Sequence, residues 1–286
     1  MGYPPHPRTN KSSVLYAKWK HIVSTDSNVP ALYPIADLDG YAIQIGNPTT
    51  SNWGGGVLNQ PFFTYEFTEA DFVVPQLNTS GLNSPQFLMW TGVGGLYPNT
   101  ALIQTGIGYT ARAGYFAFVE YANNSWINVG GVTPGDQMYV SCWASDAYGN
   151  YNPNGFYGSY LVNDEGQGPG TGWSTYLLGY IPRPLGDTAF TGTSAEYAIE
   201  AVCTAFNNNN VCTQDAPFPD WVGQSVSMVG DSYDSNGGYH DYSTDGYFNY
   251  ELQSVPNKNI LTHSTFGNDP SGEFDQTNWT NTGLHN

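Results

Sequence analysis

From Trp53 onward the chain is built from short apolar or alternating runs, separated by Gly, Pro, Asn and Asp. WGGGVL, FTEADFVVP, PQFLMWTGVG, TALIQTGIGY, GYFAFVEYA, SWINVGGV and QMYVSCWAS come first. STYLLGYI, SAEYAIEAV, DWVGQSVSMV, GYFNYELQ and KNILTHSTF follow in the second half. Their β-branched and aromatic content suits a pleated surface, and the residues between them supply turns. No stretch sustains a 3.6-residue apolar period with helix caps. Strands without helical crossovers pair antiparallel, so the pattern predicts an all-β fold, an antiparallel two-sheet β-sandwich of jelly-roll type.

Residues 1–50 read as an N-terminal extension or pro-segment remnant, punctuated by Pro and Asn, with one short strand at Tyr41–Ile45. Residues 51–286 read as one sandwich domain, within which residues 144–172 form a long loop. No fixed repeat period runs through the chain.

Charge sharpens this picture. Seven Lys and Arg oppose 24 Asp and Glu, for a formal charge of -17 over 286 residues. Arg8, Lys11, Lys18 and Lys20 lie in the leader, which leaves Arg112, Arg183 and Lys258 in the body. Phosphate binding needs clustered cations, so nucleic acid is excluded as a partner, and an anionic membrane surface with it. No apolar stretch approaches the ~20 residues of a spanning helix, so membrane insertion is not expected. A body nearly free of permanent cations suits acid, where carboxylates neutralise near ~4 and little charge remains to expand the fold.

No signal peptide is visible at the N-terminus. Cys203 and Cys212 flank the turn AFNNNN and are placed to close a small disulfide loop in an exported chain, while Cys142 sits in an apolar run as a buried small hydrophobe. The expected location is secreted, in an acidic environment. Sequons stand at Asn10, Asn78, Asn123 and Asn278.

The common catalytic signatures are absent: no G-x-S-x-G, no H-E-x-x-H, no phosphate-binding glycine loop, and no Asp-Thr-Gly or Asp-Ser-Gly. His6, His21, His240, His263 and His285 are dispersed, against a Ser-His-Asp triad or a zinc site. Asp37–Gly40 and the group Asp231, Asp234, Asp241 and Asp245 match no EF-hand and read as solvated loops, so neither a metal nor another cofactor is expected. What remains is polar residues inside strands. Leu102, Gln104, Gly106 and Gly108 share one strand face, which implies open space above Gln104. Glu196, Ala198 and Glu200 share another, again with room beside the carboxylates.

Trp90-Thr-Gly-Val-Gly-Gly95, Leu102-Ile-Gln104-Thr-Gly106, Phe118-Val-Glu120-Tyr121, Pro134-Gly-Asp136 and Ser194-Ala-Glu196-Tyr-Ala-Ile-Glu200 together resemble the eqolisin (G1) glutamic peptidases. Asn52–Val57, Phe72–Pro75 and Phe218–Trp221 extend the resemblance, which keeps the same order from Asn52 to Met228. It implies a concanavalin A-like sandwich and an acid-acting endopeptidase that takes protein or peptide substrates. The resemblance makes Gln104 and Glu196 the catalytic pair: Glu196 takes a proton from the attacking water, and Gln104 donates to the oxyanion. Trp90, Phe118, Glu120 and Glu200 become the substrate-binding set. The chain departs from the family at Gly94, where an Asp is usual, and at Tyr197 and Phe118, where Trp is common. Glu200 remains an alternative to Glu196 as base.

Two other readings fit the same residues. A jelly-roll glycoside hydrolase would pair Glu120 with Glu196. A lectin-like module would bind through its tyrosines without catalysis.

Overall fold

A computed structural model describes residues 53–60, 65–95, 101–121, 126–145, 156–163, 174–182, 190–207, 212–234, 238–243, 245–255, 257–272 and 274–284. The leader with its strand at Tyr41–Ile45, the Asp37–Gly40 segment, and residues 146–155 and 164–173 of the expected loop lie outside them.

Every strand pairing is antiparallel, as the lack of helical crossovers predicts. The first sheet has seven strands in the order β17 (Gly246–Tyr250), β1 (Trp53–Asn59), β11 (Ser194–Glu200), β4 (Gln86–Gly94), β5 (Leu102–Thr110), β6 (Gly114–Tyr121) and β7 (Ile127–Gly131). The second runs β10 (Ser174–Pro182), β9 (Phe156–Asn163), β8 (Gln137–Ser145), β2 (Phe67–Val73), β15 (Val226–Tyr233), β20 (Asp275–Asn281), β19 (Ile260–Asn268) and β18 (Leu252–Gln253). There β16 (Tyr239–His240) also pairs with β15. Two small pairs complete the described strands: β12 (Cys203–Phe206) with β13 (Cys212–Asp215), and β14 (Asp220–Trp221) with β3 (Leu77–Asn78). Cys203 and Cys212 form the expected disulfide across the first of these, and Cys142 is buried and free.

One expectation changes, and one strand was not foreseen. The span 144–172 is not loop throughout, because β9 occupies Phe156–Asn163. That strand pairs over its whole length with Met138–Ser145 of β8. The polar run Asp275–Asn281 is also a strand, and its inward residues Asp275, Thr277 and Trp279 are all buried.

Strand parity divides the first sheet's side chains between two apolar layers. Met89, Val93, Ile103, Ile107, Ala117, Val119 and Ile199 meet Ala70, Phe72, Met138, Val140, Met228 and Trp279 between the sheets. The opposite face carries a second cluster of Trp53, Val57, Leu88, Trp90, Leu102, Phe116, Phe118, Ala198 and Val202. Both faces being buried explains why QFLMW is continuously apolar rather than alternating.

The second sheet buries charge on the face away from the core. Glu69 and Asp231 are direct cross-strand partners on β2 and β15, and both are fully buried. Asp231 is therefore not in a solvated loop; the rest of its sequence group caps turns or pairs with His240. Tyr139 donates to Glu69 at 2.5 Å and Tyr233 to Asp231 at 3.1 Å, which leaves one oxygen of each carboxyl without a partner. Burial raises the pKa of both, with Asp71 adding to Glu69, and Glu69 and Asp275 adding to Asp231, against the tyrosine hydrogen bonds. Burial likewise pushes Asp275 up to about 8, against a donated hydrogen bond from the Tyr242 backbone.

These groups hold protons in the folded chain that the unfolded chain has released above ~4. Stability is therefore full below that value and falls as pH rises through the folded pKa values, by about 1.4 kcal/mol per pH unit per group. Thermal unfolding from pH 3 to 8 is expected to show a midpoint that drops steeply toward neutrality. Glu69→Gln or Asp231→Asn removes one of the two charges and is expected to flatten that drop. Parallel curves for wild type and variants would refute the assignment to this pair.

Candidate active site

Register brings the sequence-predicted residues onto one line across the first sheet. Glu196 on β11 faces Gly92 on β4, Gly92 faces Gln104 on β5, and Gln104 faces Glu120 on β6. Directly opposed residues share a face, so Glu196, Gln104 and Glu120 point to the same side. At strand spacings of about 4.8 Å, Glu196 and Gln104 are roughly 10 Å apart at Cα, with no side chain between them. A Cβ at Gly92 would lie 2.8 Å from Leu102 and 3.2 Å from the Trp90 ring. Those two side chains therefore fill the space over Gly92.

The next rows hold the remaining candidates. Trp90 lies between Ala198 and Gly106, and Phe118 faces Gly106 from β6. Glu200 stands two rows from Gln104, opposite Trp53 and Leu88. Its carboxylate accepts a 3.0 Å hydrogen bond from the Trp90 indole N–H. Gln104 donates from Nε2 to Glu120 at 2.8 Å, and its Oε1 is buried without a partner. Glu196 is the least engaged: neither carboxyl oxygen receives a hydrogen bond of ordinary geometry.

Burial sets the electrostatics. It raises Glu196 well above the usual glutamate range, and the neighbouring Ser194 hydroxyl opposes the shift. It raises Glu120 too, with Glu200 adding repulsion and the Gln104 bond opposing both. A base near 4, the value expected for an ordinary glutamate, is thus not what the closed site holds.

The site rests on a belt of hydroxyls between the sheets. Thr91 donates to the Glu196 carbonyl at 2.8 Å, so its single proton is committed there. Thr68 on the second sheet then donates to Thr91 at 3.0 Å, and Tyr197 and Ser232 lie beside it at 2.9 Å from one another. Beneath Gln104, the Cys142 thiol donates to the Ile103 carbonyl at 3.2 Å. Each such buried bond contributes about 1 kcal/mol net and costs more than that when one partner is lost.

The glycines of β5 do not leave open space above Gln104. A Cβ at Gly106 would meet the Met89 carbonyl at 2.0 Å, and one at Gly108 would meet Phe116 and Leu88. They admit close neighbours instead. Ala198 also packs within the apolar layer, so the glutamate face is filled rather than roomy. Gly94 is a backbone requirement: its φ is 82°, and a Cβ would lie 2.3 Å from the Ala101 carbonyl. Gly92, Thr68, Thr91 and Cys142 were not singled out for the site from sequence. The WTG run holds Gly92 in plain view, but only the register shows that it parts Glu196 from Gln104.

Comparison with known proteins bears on the family and the fold. Residues 51–153 match the Peptidase A4 family. Scytalido-glutamic peptidase bound to a transition-state analog inhibitor is similar in fold, with 20% identity, TM-score 0.61, and 81% of this chain and 98% of that chain covered. SCP-B, a member of the eqolisin family of peptidases in complex with the tripeptide Ala-Ile-His, is similar at 19% identity, TM-score 0.57 and the same coverage. No curated protein sequence matches the chain. The matched segment carries Gly92, Gln104 and Glu120, while Glu196 is supplied by a strand outside it. Residues 51–153 thus carry the Peptidase A4 family signature, on a sandwich with the fold of the eqolisin peptidases.

Proposed function

We propose that the chain is an acid-acting glutamic endopeptidase in which Glu196 is the base and Gln104 the oxyanion donor. One observation carries the reading: both residues lie on a single cross-strand line, parted by a residue with no side chain. With the Leu102 and Trp90 side chains moved off Gly92, a peptide carbonyl and a water there would lie between a carboxyl and an amide. The same opening relieves the burial that keeps Glu196 neutral; ionised, it takes the water's proton and passes it to the leaving amine. Gln104 spends one N–H on Glu120, which fixes the amide, and keeps its second N–H for the developing oxyanion. The bond from Trp90 commits a Glu200 oxygen to positioning that ring, which favours Glu196 as the base. The peptide-based analog and the tripeptide held by the similar structures support a peptide as substrate. The disulfide and the carboxyl-rich, cation-poor body support export to an acidic medium.

The glycoside hydrolase alternative needs Glu120 and Glu196 at one bond. Three strand spacings separate them, roughly 14 Å at Cα, and Gln104 occupies Glu120.

With denatured protein as substrate at acid pH, Glu196→Gln is expected to lower kcat/KM by about 10²–10⁴-fold. Gln104→Ala is expected to lower it about 10²–10³-fold, and Glu200→Gln by less than about tenfold. Full activity in Glu196→Gln would refute the base assignment. No acid cleavage by the wild type would leave a binding module. Gly94→Asp restores the residue usual in the resembled family but forces a side chain into left-handed backbone against Ala101. A loss of about 1–3 kcal/mol in denaturant unfolding is expected, and unchanged stability would show that the turn adapts.

A further inference from the structure

The line through Glu196 does not end at β1. Glu196 faces Val57, and Val57 faces Phe248 on the edge strand β17. Phe248 therefore shares the face of Glu196 and Gln104, two strands beyond the carboxyl. The other members of that line are buried, yet Phe248 is 44% exposed. It is not an isolated ring. Phe248 lies 5.9 Å from Tyr250, Tyr250 lies 5.2 Å from Trp53, and Trp53 lies 6.0 Å from Trp90. An aromatic path thus runs from the solvent edge of the sheet to the ring that covers Gly92. Between Phe248 and Glu196 the line holds only apolar Val57, so nothing there favours a charged or polar side chain.

We infer that Phe248 and Tyr250 form a specificity subsite for a large apolar side chain of the substrate peptide, an inference that rests on the peptidase reading. Gly92 and Phe248 are three strand spacings apart, roughly 14 Å, and an extended peptide advances about 3.3 Å per residue. A peptide whose scissile bond lies over Gly92 and which crosses the strands toward β17 places the side chain about four residues from that bond on Phe248. Burying a large apolar group against a half-exposed ring discriminates it from a small one by on the order of tenfold.

The test is a peptide series that differs only at the fourth residue from the cleaved bond, on either side, carrying Phe, Leu, Ala or Asp. The full chain is expected to prefer Phe and Leu over Ala by on the order of tenfold in kcat/KM, chiefly through KM, with Asp the poorest. Phe248→Ala is expected to bring the Phe-to-Ala ratio near one, and Phe248→Leu to keep most of it. An unchanged ratio in Phe248→Ala, or an equal loss for every peptide, overturns the subsite. Thermal unfolding of the variants separates a misfolded protein from a lost preference. Binding of the Phe and Ala peptides to Glu196→Gln, read by tryptophan fluorescence, needs no cleavage. Equal affinities there reject the subsite, whereas absent cleavage by the wild type with unequal affinities rejects the peptidase reading alone.

Discussion

Both faces of the central strands β11, β4 and β5 of the seven-stranded sheet are buried, so every polar group there must find a partner or go without. Most find one. On the inner side Thr68, Thr91, Tyr197 and Ser232 satisfy each other and fasten the strand of Glu196 to the second sheet. On the outer side Gln104 pairs with Glu120, and Trp90 with Glu200. Glu196 stands out among those that do not, a buried carboxyl with no donor of ordinary geometry on either oxygen and only the Ser194 hydroxyl beside it. A group left in that condition is costly in a core, and such a cost is ordinarily tolerated where chemistry uses it. Tyr197 shows how the chain has adapted to its own sequence. A hydroxyl there reaches Ser232 across the sandwich, a bond an indole in that position would have to make by another route.

The strands were legible because β-branched and aromatic runs between turn residues are a local signal, and parity correctly grouped Gln104 with Leu102 and Glu196 with Glu200. Local signals failed where the chain departs from alternating hydrophobicity. β9 was hidden by the Gly, Asn and Pro residues that flank it and β20 by the polar Asp275 and Thr277 that it turns inward. Register was beyond reach. Residues some ninety positions apart meet across Gly92 only through pairings made by strands that are distant in sequence. For the same reason Gly106 and Gly108 suggested space, when their partners, the backbone of β4 and the ring of Phe116, already fill it. Asp231 looked like one more acidic loop residue because nothing local marks Glu69 as its neighbour.

Acidity is written into the molecule at two scales. The body carries few permanent cations, so protonation of its carboxyls leaves it nearly uncharged. Within the sandwich, Glu69, Asp231, Asp275, Glu120 and Glu196 are all raised by burial, so the neutral forms are those the fold accommodates. Surface and interior thus favour the same medium for separate physical reasons.

Cys142 lies in the middle of this arrangement, bonded through its thiol to the strand of Gln104 and shielded from solvent. With Cys203 and Cys212 joined to each other, it is the chain's one reactive sulfur. Burial raises its pKa well above the ordinary thiol value, so the native chain presents no thiolate to a labelling reagent. Modification then waits for the two sheets to part. The sulfur is a built-in clock for that opening, and it reads the layer directly beneath the proposed oxyanion donor.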